Sequence, residues 1–166
     1  MVGTPIGNIE DITLRALSVL READLIAAED TRRAKILLGA HNISTKVISL
    51  HEHNEKEKSR MIIAMLQRGG NVAYVSDAGT PGISDPGSYL VAQAHSHQIR
   101  VVPVPGASAV SAALSVSGFP AESFLFCGFL PSRENKRRKL LETLRHEART
   151  IIFFESPKRI SASLKD

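Results

Sequence analysis

The chain has 166 residues, 43% apolar, 23% charged and 5% aromatic, an ordinary globular composition that suits one domain or one domain with part of another. With 11 glycines and 8 prolines it is neither collagen-like nor low-complexity, and no apolar run nears the ~18 residues of a membrane span. The opening residues carry neither a basic leader nor an apolar core, and the net charge is only +4, so the composition predicts a soluble, cytoplasmic protein.

From the N-terminus, a strand stub at residues 1–3 precedes a helix in which Leu14, Leu17 and Leu20 recur at helical spacing behind Asp11, the expected N-cap. Strands are predicted at 25–29, 46–50, 71–77 and 100–105. Ile36 and Leu37 lie on the second helix, and Met61, Ile62, Met65 and Leu66 form an apolar stripe on the third. Asp85-Pro86 reads as an N-cap and a first-turn proline opening a helix to about His97. Repeated βα units predict a mainly parallel sheet with helices on both faces.

A proline turn at Gly118-Phe119-Pro120 divides an N-terminal α/β domain, 1–118, from an incomplete C-terminal α/β domain, 119–166. In the second, a strand at 124–129 precedes a basic helix at 133–148, a strand at 150–155 and a helix opened by Pro157. Acidic and basic residues balance before the boundary; after it there are 10 basic and 6 acidic, predicting a basic face. The lone Cys127 lies in an apolar run and reads as a buried thiol. A first strand of about three residues, against the usual five or six, and a small second unit predict either a fragment or completion by a partner.

Glycines and prolines cluster at the C-terminal ends of three predicted strands. The clusters are Gly3-Thr4-Pro5-Ile6-Gly7-Asn8, the twelve residues from Ser76 to Gly87, and Pro103 to Ala109. Ligands of open α/β sheets bind at that edge, and glycine lets main chain approach a ligand closely. No Gly-x-Gly-x-x-Gly follows the first strand and no Gly-x-x-x-x-Gly-Lys-Ser/Thr occurs, so dinucleotide and P-loop sites are not indicated. The three loops hold no lysine or arginine, which argues against a polyphosphate and for a weakly charged or zwitterionic small molecule.

These loops, with Glu29-Asp30-Thr31-Arg32, His51-Glu52-His53-Asn54-Glu55, Gly128-Phe129-Leu130-Pro131 and Phe154-Glu155-Ser156-Pro157, resemble in order the small-subunit ribosomal RNA methyltransferases of the tetrapyrrole methylase superfamily. The resemblance implies two α/β domains with S-adenosyl-L-methionine (SAM) in the cleft between them, in a homodimer. It also implies methyl transfer to a cytidine ribose 2′-hydroxyl in 16S rRNA of the small ribosomal subunit. It places cofactor contacts on Pro5, Ile6, Gly79, Thr80, Ile83, Ser108, Ala109 and Phe154. The family's first strand is longer and its chain continues beyond the Phe154 motif.

A ribose hydroxyl is a poor nucleophile, so a general base or strong hydrogen-bond acceptor is expected beside it. His51 and His53, pointing the same way in an extended segment, are candidates, together with Glu52 and Glu55; solvated loop residues, caps and a metal pair are the alternatives. Glu29 and Asp30 are candidates too, with Asp30 alternatively a helix cap and Arg32 reaching RNA phosphate. Asp77 either binds a cofactor group or braces its loop. Arg133, Lys136, Arg137, Arg138 and Lys139 form a basic run at a helix start, where the macrodipole disfavours cations, and are candidate RNA contacts or a solvated face. A corrin or other tetrapyrrole C-methyltransferase and a non-catalytic fragment are the alternative functions.

Overall fold

The computed structural model describes residues 1–166. Its contacts divide the chain into a unit of Met1–Ala109 and a unit of Val110–Asp166. The division falls at the start of a helix, Ala109–Ser117, that the sequence-based boundary at residue 118 follows.

In the first unit a 3₁₀ turn, Ile9–Asp11, precedes α1 (Leu14–Glu22), β1 (Leu25–Ala28), α2 (Thr31–Ala40), β2 (Val47–Ser49), α3 (Glu55–Gln67), β3 (Val72–Val75) and α4 (Ser88–Ser96). The strands lie in the order β2-β1-β3, all parallel, with Ile26 opposite Val47 and Ala73. The N-terminal segment extends the sheet: Val2 N donates to Tyr74 O (2.9 Å), and Val2 pairs in parallel with Val104.

Alternation along the strands sends side chains to two faces. Val2, Ile26, Ala28, Ala73, Val75 and Val104 pack with Ala16, Leu17 and Leu20 of α1 and Ala34 and Leu38 of α2. Ala27 and Tyr74 point the other way, onto Ile62 and Ile63 of α3 and Leu90 and Ala94 of α4. The predicted parallel sheet with a helix layer on each face is therefore present.

Three expectations need correction. Thr13, not Asp11, caps α1: its Oγ1 accepts from Ala16 N at 3.0 Å, while Asp11 closes the 3₁₀ turn. Asp85-Pro86 does not open α4, whose N-cap is Gly87 at φ 122°; a cap side chain arrives from α3 instead. The predicted strand at 100–105 reduces to the single bridge at Val104, because the stub is so short that Met1 and Gly3 bond only Val102 and Val104. A cavity of about 410 Å³ flanks that position between Val72 and Val101.

The second unit comprises most of α5 (Ala109–Ser117), then β4 (Phe124–Phe129), α6 (Glu134–Thr143), β5 (Thr150–Phe154) and α7 (Ile160–Ser163). α5, absent from the sequence reading, buries none of its side chains. β4 and β5 pair in parallel, with a register shift between Phe126 and Phe129, and α6 is the crossover. Phe154 meets Phe126 and Phe129 edge-on at 4.8 and 5.4 Å, and Cys127 is a half-buried free thiol. No helix is long and apolar enough to cross a membrane.

Candidate functional site

The three glycine-bearing loops meet within the first unit. Thr4 and Gly79 exchange backbone hydrogen bonds at 2.9 and 3.0 Å, tying the first loop to the second. Gly3 N donates to Val104 O at 3.0 Å, tying it to the third. A Cβ on Gly3 would lie 2.9 Å from Gly106 backbone, and one on Gly106 would lie 3.0 Å from Gly3 backbone, so only glycine permits that approach. Gly79, at φ 79°, sits against the Ile6 side chain and the Ala107 carbonyl.

Of the expected cofactor contacts, Pro5, Ile6, Gly79, Thr80, Ile83, Ser108 and Ala109 all lie in these loops. Gly79 is buried, Pro5 and Ser108 are half-buried, and Ile83 is 51% exposed. Phe154 belongs to the second unit, in the aromatic cluster of its strands. Asp77 turns its carboxylate toward α2: Oδ1 accepts from Asp30 N at 3.0 Å and Oδ2 lies 3.5 Å from Arg33 Nε. Of its two sequence readings, the geometry is that of the brace.

The polar candidates separate by environment. Asp30 caps α2, accepting from Arg32 N at 2.8 Å, and takes a bidentate pair from the Arg32 guanidinium at 3.1 and 2.8 Å. Those bonds hold its carboxyl down at about 2, which suits a permanent anion and makes it a poor proton acceptor. Arg32 is exposed yet engaged with Asp30. Glu29 differs: Oε2 accepts from Asp77 N at 3.4 Å, and burial, then the charges of Asp77 and Asp85, push its carboxyl above the ordinary glutamate value. Burial pushes Asp85 up as well, with Asp77 adding to it.

His51 and His53 are not in an extended segment. Residues 51–54 form a turn in which His51 N donates to Asn54 Oδ1 at 2.9 Å and Asn54 N to His51 O at 3.0 Å. The two rings nonetheless meet edge-on at 5.9 Å, and His51 Nδ1 is buried without a partner. No group of three His, Cys, Asp or Glu side chains is placed to hold a metal ion. Glu55 is a cap: Oε1 accepts from Gly87 N (3.0 Å) and Leu90 N (3.2 Å), so the end of the second loop and the start of α4 are fastened to α3.

The basic run on α6 splits. Arg133, Lys136 and Lys139 are exposed. Arg137 is buried, donating to Asp166 at 2.6 Å and to the Pro131 and Ser132 carbonyls, and Arg138 is paired with Glu134 and Asp166. Arg137 thus lies inside the second unit and is not part of a surface face.

Sequence reasoning passed over Arg33 and Tyr74. Arg33 was adjacent to a residue already singled out, in a helix with three cations and no acid. Tyr74 reads as a core strand residue, and it is 2% exposed, but its hydroxyl has no partner.

A sequence model of the family described as Tetrapyrrole (Corrin/Porphyrin) Methylases matches residues 1–166. The chain is 52% identical over its whole length to a Thermotoga maritima protein named Ribosomal RNA small subunit methyltransferase I, covering 74% of that protein. It is 52% identical to the protein of the same name from Pseudomonas aeruginosa and 50% to that from Escherichia coli O157:H7. It spans only 59% and 58% of their lengths. Among solved structures, a diphthine synthase and a cobalt precorrin-4 methyltransferase each superpose with a TM-score of 0.71 at 18% identity. The matches cover 94% and 99% of this chain, and 64% and 71% of theirs, and at that identity they speak to fold alone.

Proposed function

We propose that this chain, which belongs to the tetrapyrrole methylase family and within it to the ribosomal RNA small subunit methyltransferase I group, binds SAM on its three converging loops and methylates a cytidine ribose 2′-hydroxyl of small-subunit ribosomal RNA. The observation that carries the reading is the main-chain cradle formed where Gly3, Gly79 and Gly106 bring the loops together. The names of its relatives supply the RNA substrate, and the whole protein acts in the cytoplasm as a homodimer.

The residues present fit the cofactor. Glu29 and Asp77 follow the ends of β1 and β3, and the charges of Asp77 and of Asp85 in the second loop oppose ionisation of Glu29. A positively charged sulfonium brought to this edge relieves that repulsion, which the Arg33 guanidinium beside Asp77 offsets only in part. Pro5, Ile6, Gly79, Thr80, Ile83, Ser108 and Ala109 hold the cofactor on the first unit's loops.

Bound SAM supplies a methyl group already activated on sulfur, so the chain's work is alignment, in which orientation of reactants is worth about 7–11 kcal/mol. Glu29 is the best of the candidate proton acceptors. Its raised proton affinity matches the role, whereas Asp30 is committed to Arg32. His51 and His53 order the β2–α3 turn and meet the RNA; exposed Arg133, Lys136 and Lys139 meet phosphates from the second unit. Isothermal calorimetry with SAM tests the cradle. Saturable one-site binding that Gly106→Val abolishes is expected, and no heat of binding to the folded chain overturns the reading.

A further inference from the structure

A second hollow lies at the same sheet edge, on the α2 side of the first loop, with a volume of about 190 Å³. Pro5 and Ile9 of the loop and Ile36 and Leu37 of α2 give it apolar walls, and Arg33 and Asp77 give it one polar edge. Its size is below the roughly 300–1,000 Å³ typical of pockets for drug-sized ligands, so it suits a nucleobase better than a whole nucleoside cofactor. Gly79, Ile6 and the Ala107 carbonyl, where the first loop meets the other two, do not line this hollow, and of the expected cofactor contacts only Pro5 borders it.

The polar edge has a specific donor and acceptor pattern. Asp77 Oδ1 is occupied by Asp30 N, while Oδ2 faces Arg33 across 3.5 Å, leaving lone pairs and guanidinium protons side by side. A carboxylate accepts from an exocyclic amino group, and a guanidinium donates to an adjacent ring nitrogen or carbonyl. That edge is complementary to the amino-bearing side of cytosine and mismatched to uracil, which presents a carbonyl to Asp77. Adenine shares the amino-beside-nitrogen edge, so the pattern discriminates against uracil and not against adenine. Outside the mouth, α2 carries Arg32, Arg33 and Lys35 exposed and no acidic residue, the charge expected where a polynucleotide backbone passes.

We propose that this hollow between the first loop and α2 seats the pyrimidine of the target nucleotide and that Asp77 and Arg33 select cytosine over uracil. The assignment rests on the RNA methyltransferase reading and deepens it. The first loop then divides the two substrates, cofactor toward the third loop and base toward α2.

The test is titration of the ¹⁵N-labelled chain with cytidine and uridine monophosphate, followed by amide shifts, with SAM binding measured in parallel. Cytidine monophosphate is expected to move amides of residues 4–9 and 33–37 and to bind roughly tenfold more tightly than uridine monophosphate. Asp77→Asn, which turns an amide donor toward the ring, is expected to erase or reverse that preference. Ile36→Trp fills the mouth from a position 70% exposed, so the fold tolerates it, and it is expected to abolish the shifts. Equal affinity for the two nucleotides, shifts confined to other residues, no shifts at saturating concentrations, or displacement of cytidine monophosphate by SAM each overturns the proposal. If SAM still binds in those cases, the methyltransferase reading stands without it; if SAM fails to bind, that reading falls on its own account.

Discussion

Gly3 and Gly106 face one another so closely that a methyl group on either would sit about 3 Å from the other's backbone. Neither has a positive φ, so the constraint is the close approach of two loops and not local backbone strain. Gly106→Ala is therefore expected to force the first and third loops apart, at an overpacking cost of about 1–3 kcal/mol. Since the same approach shapes the cradle, SAM affinity falls by more than stability does. Thermal unfolding and calorimetry on the variant check both; unchanged affinity would detach the cradle from this pair of glycines.

Glu55 fastens the last residue of the second loop, Gly87, to α3 and caps α4 from outside. Glu55→Ala strips an acceptor from two N–H groups at a helix start and is expected to destabilise by about 0.5–2 kcal/mol. Glu55→Gln retains an acceptor oxygen and is expected to restore most of the loss, as read by denaturant midpoints at constant m-value.

Glu29 separates stability from activity. Its carboxyl lies above the ordinary value of 4.5, so folded protein resists ionising it. The favourable balance is complete below that ordinary value and lost as pH rises through the raised one. Glu29→Gln is expected to raise Tm at neutral pH and leave it unchanged near pH 4, where both side chains are neutral. Under the proposed role as proton acceptor, its removal is expected to lower the methyl-transfer rate by about 10²–10⁴. Matching losses of Tm and rate would instead mark it as structural.

Neighbouring cations on α6 are expected to behave in opposite ways. Neutralising exposed Lys136 and Lys139 is expected to leave Tm unchanged and to flatten the salt dependence of RNA binding, by about 0.7–0.9 in log–log slope for each phosphate no longer neutralised. Arg137→Met removes the buried partner of the Asp166 carboxylate and leaves it Arg138 alone, and is expected to lower Tm by several degrees without changing the slope. Filter binding at four salt concentrations distinguishes the two.

Much of this architecture was legible in the order of residues. β4 runs over the predicted 124–129, where β-favouring residues end near a proline turn, and β1 and β3 fall within their predicted spans. The loops were legible because glycine and proline cluster where strands end. What stayed hidden depended on partners distant in sequence. The Gly87 start of α4 owes its cap to Glu55, 32 residues earlier, and no local signal competes with the attractive Asp85-Pro86. Residues 100–103 have strand composition, but only Met1 N reaches them from the neighbouring stub, at Val102 O. Arg137 looks like its exposed neighbours until the fold brings Asp166 beside it. Asp77 and Glu29 acquire their properties from one another across adjacent strand ends, 48 residues apart.

The most direct measurement of the central claim is transfer of a labelled methyl group from SAM to isolated small ribosomal subunits, with the modified nucleotide mapped by digestion. Label is expected in one alkali-resistant dinucleotide containing a 2′-O-methylated cytidine, and it disappears when Glu29 becomes glutamine. Label on a base, label on a nucleoside other than cytidine, or SAM binding with no transfer to the subunit would contradict it.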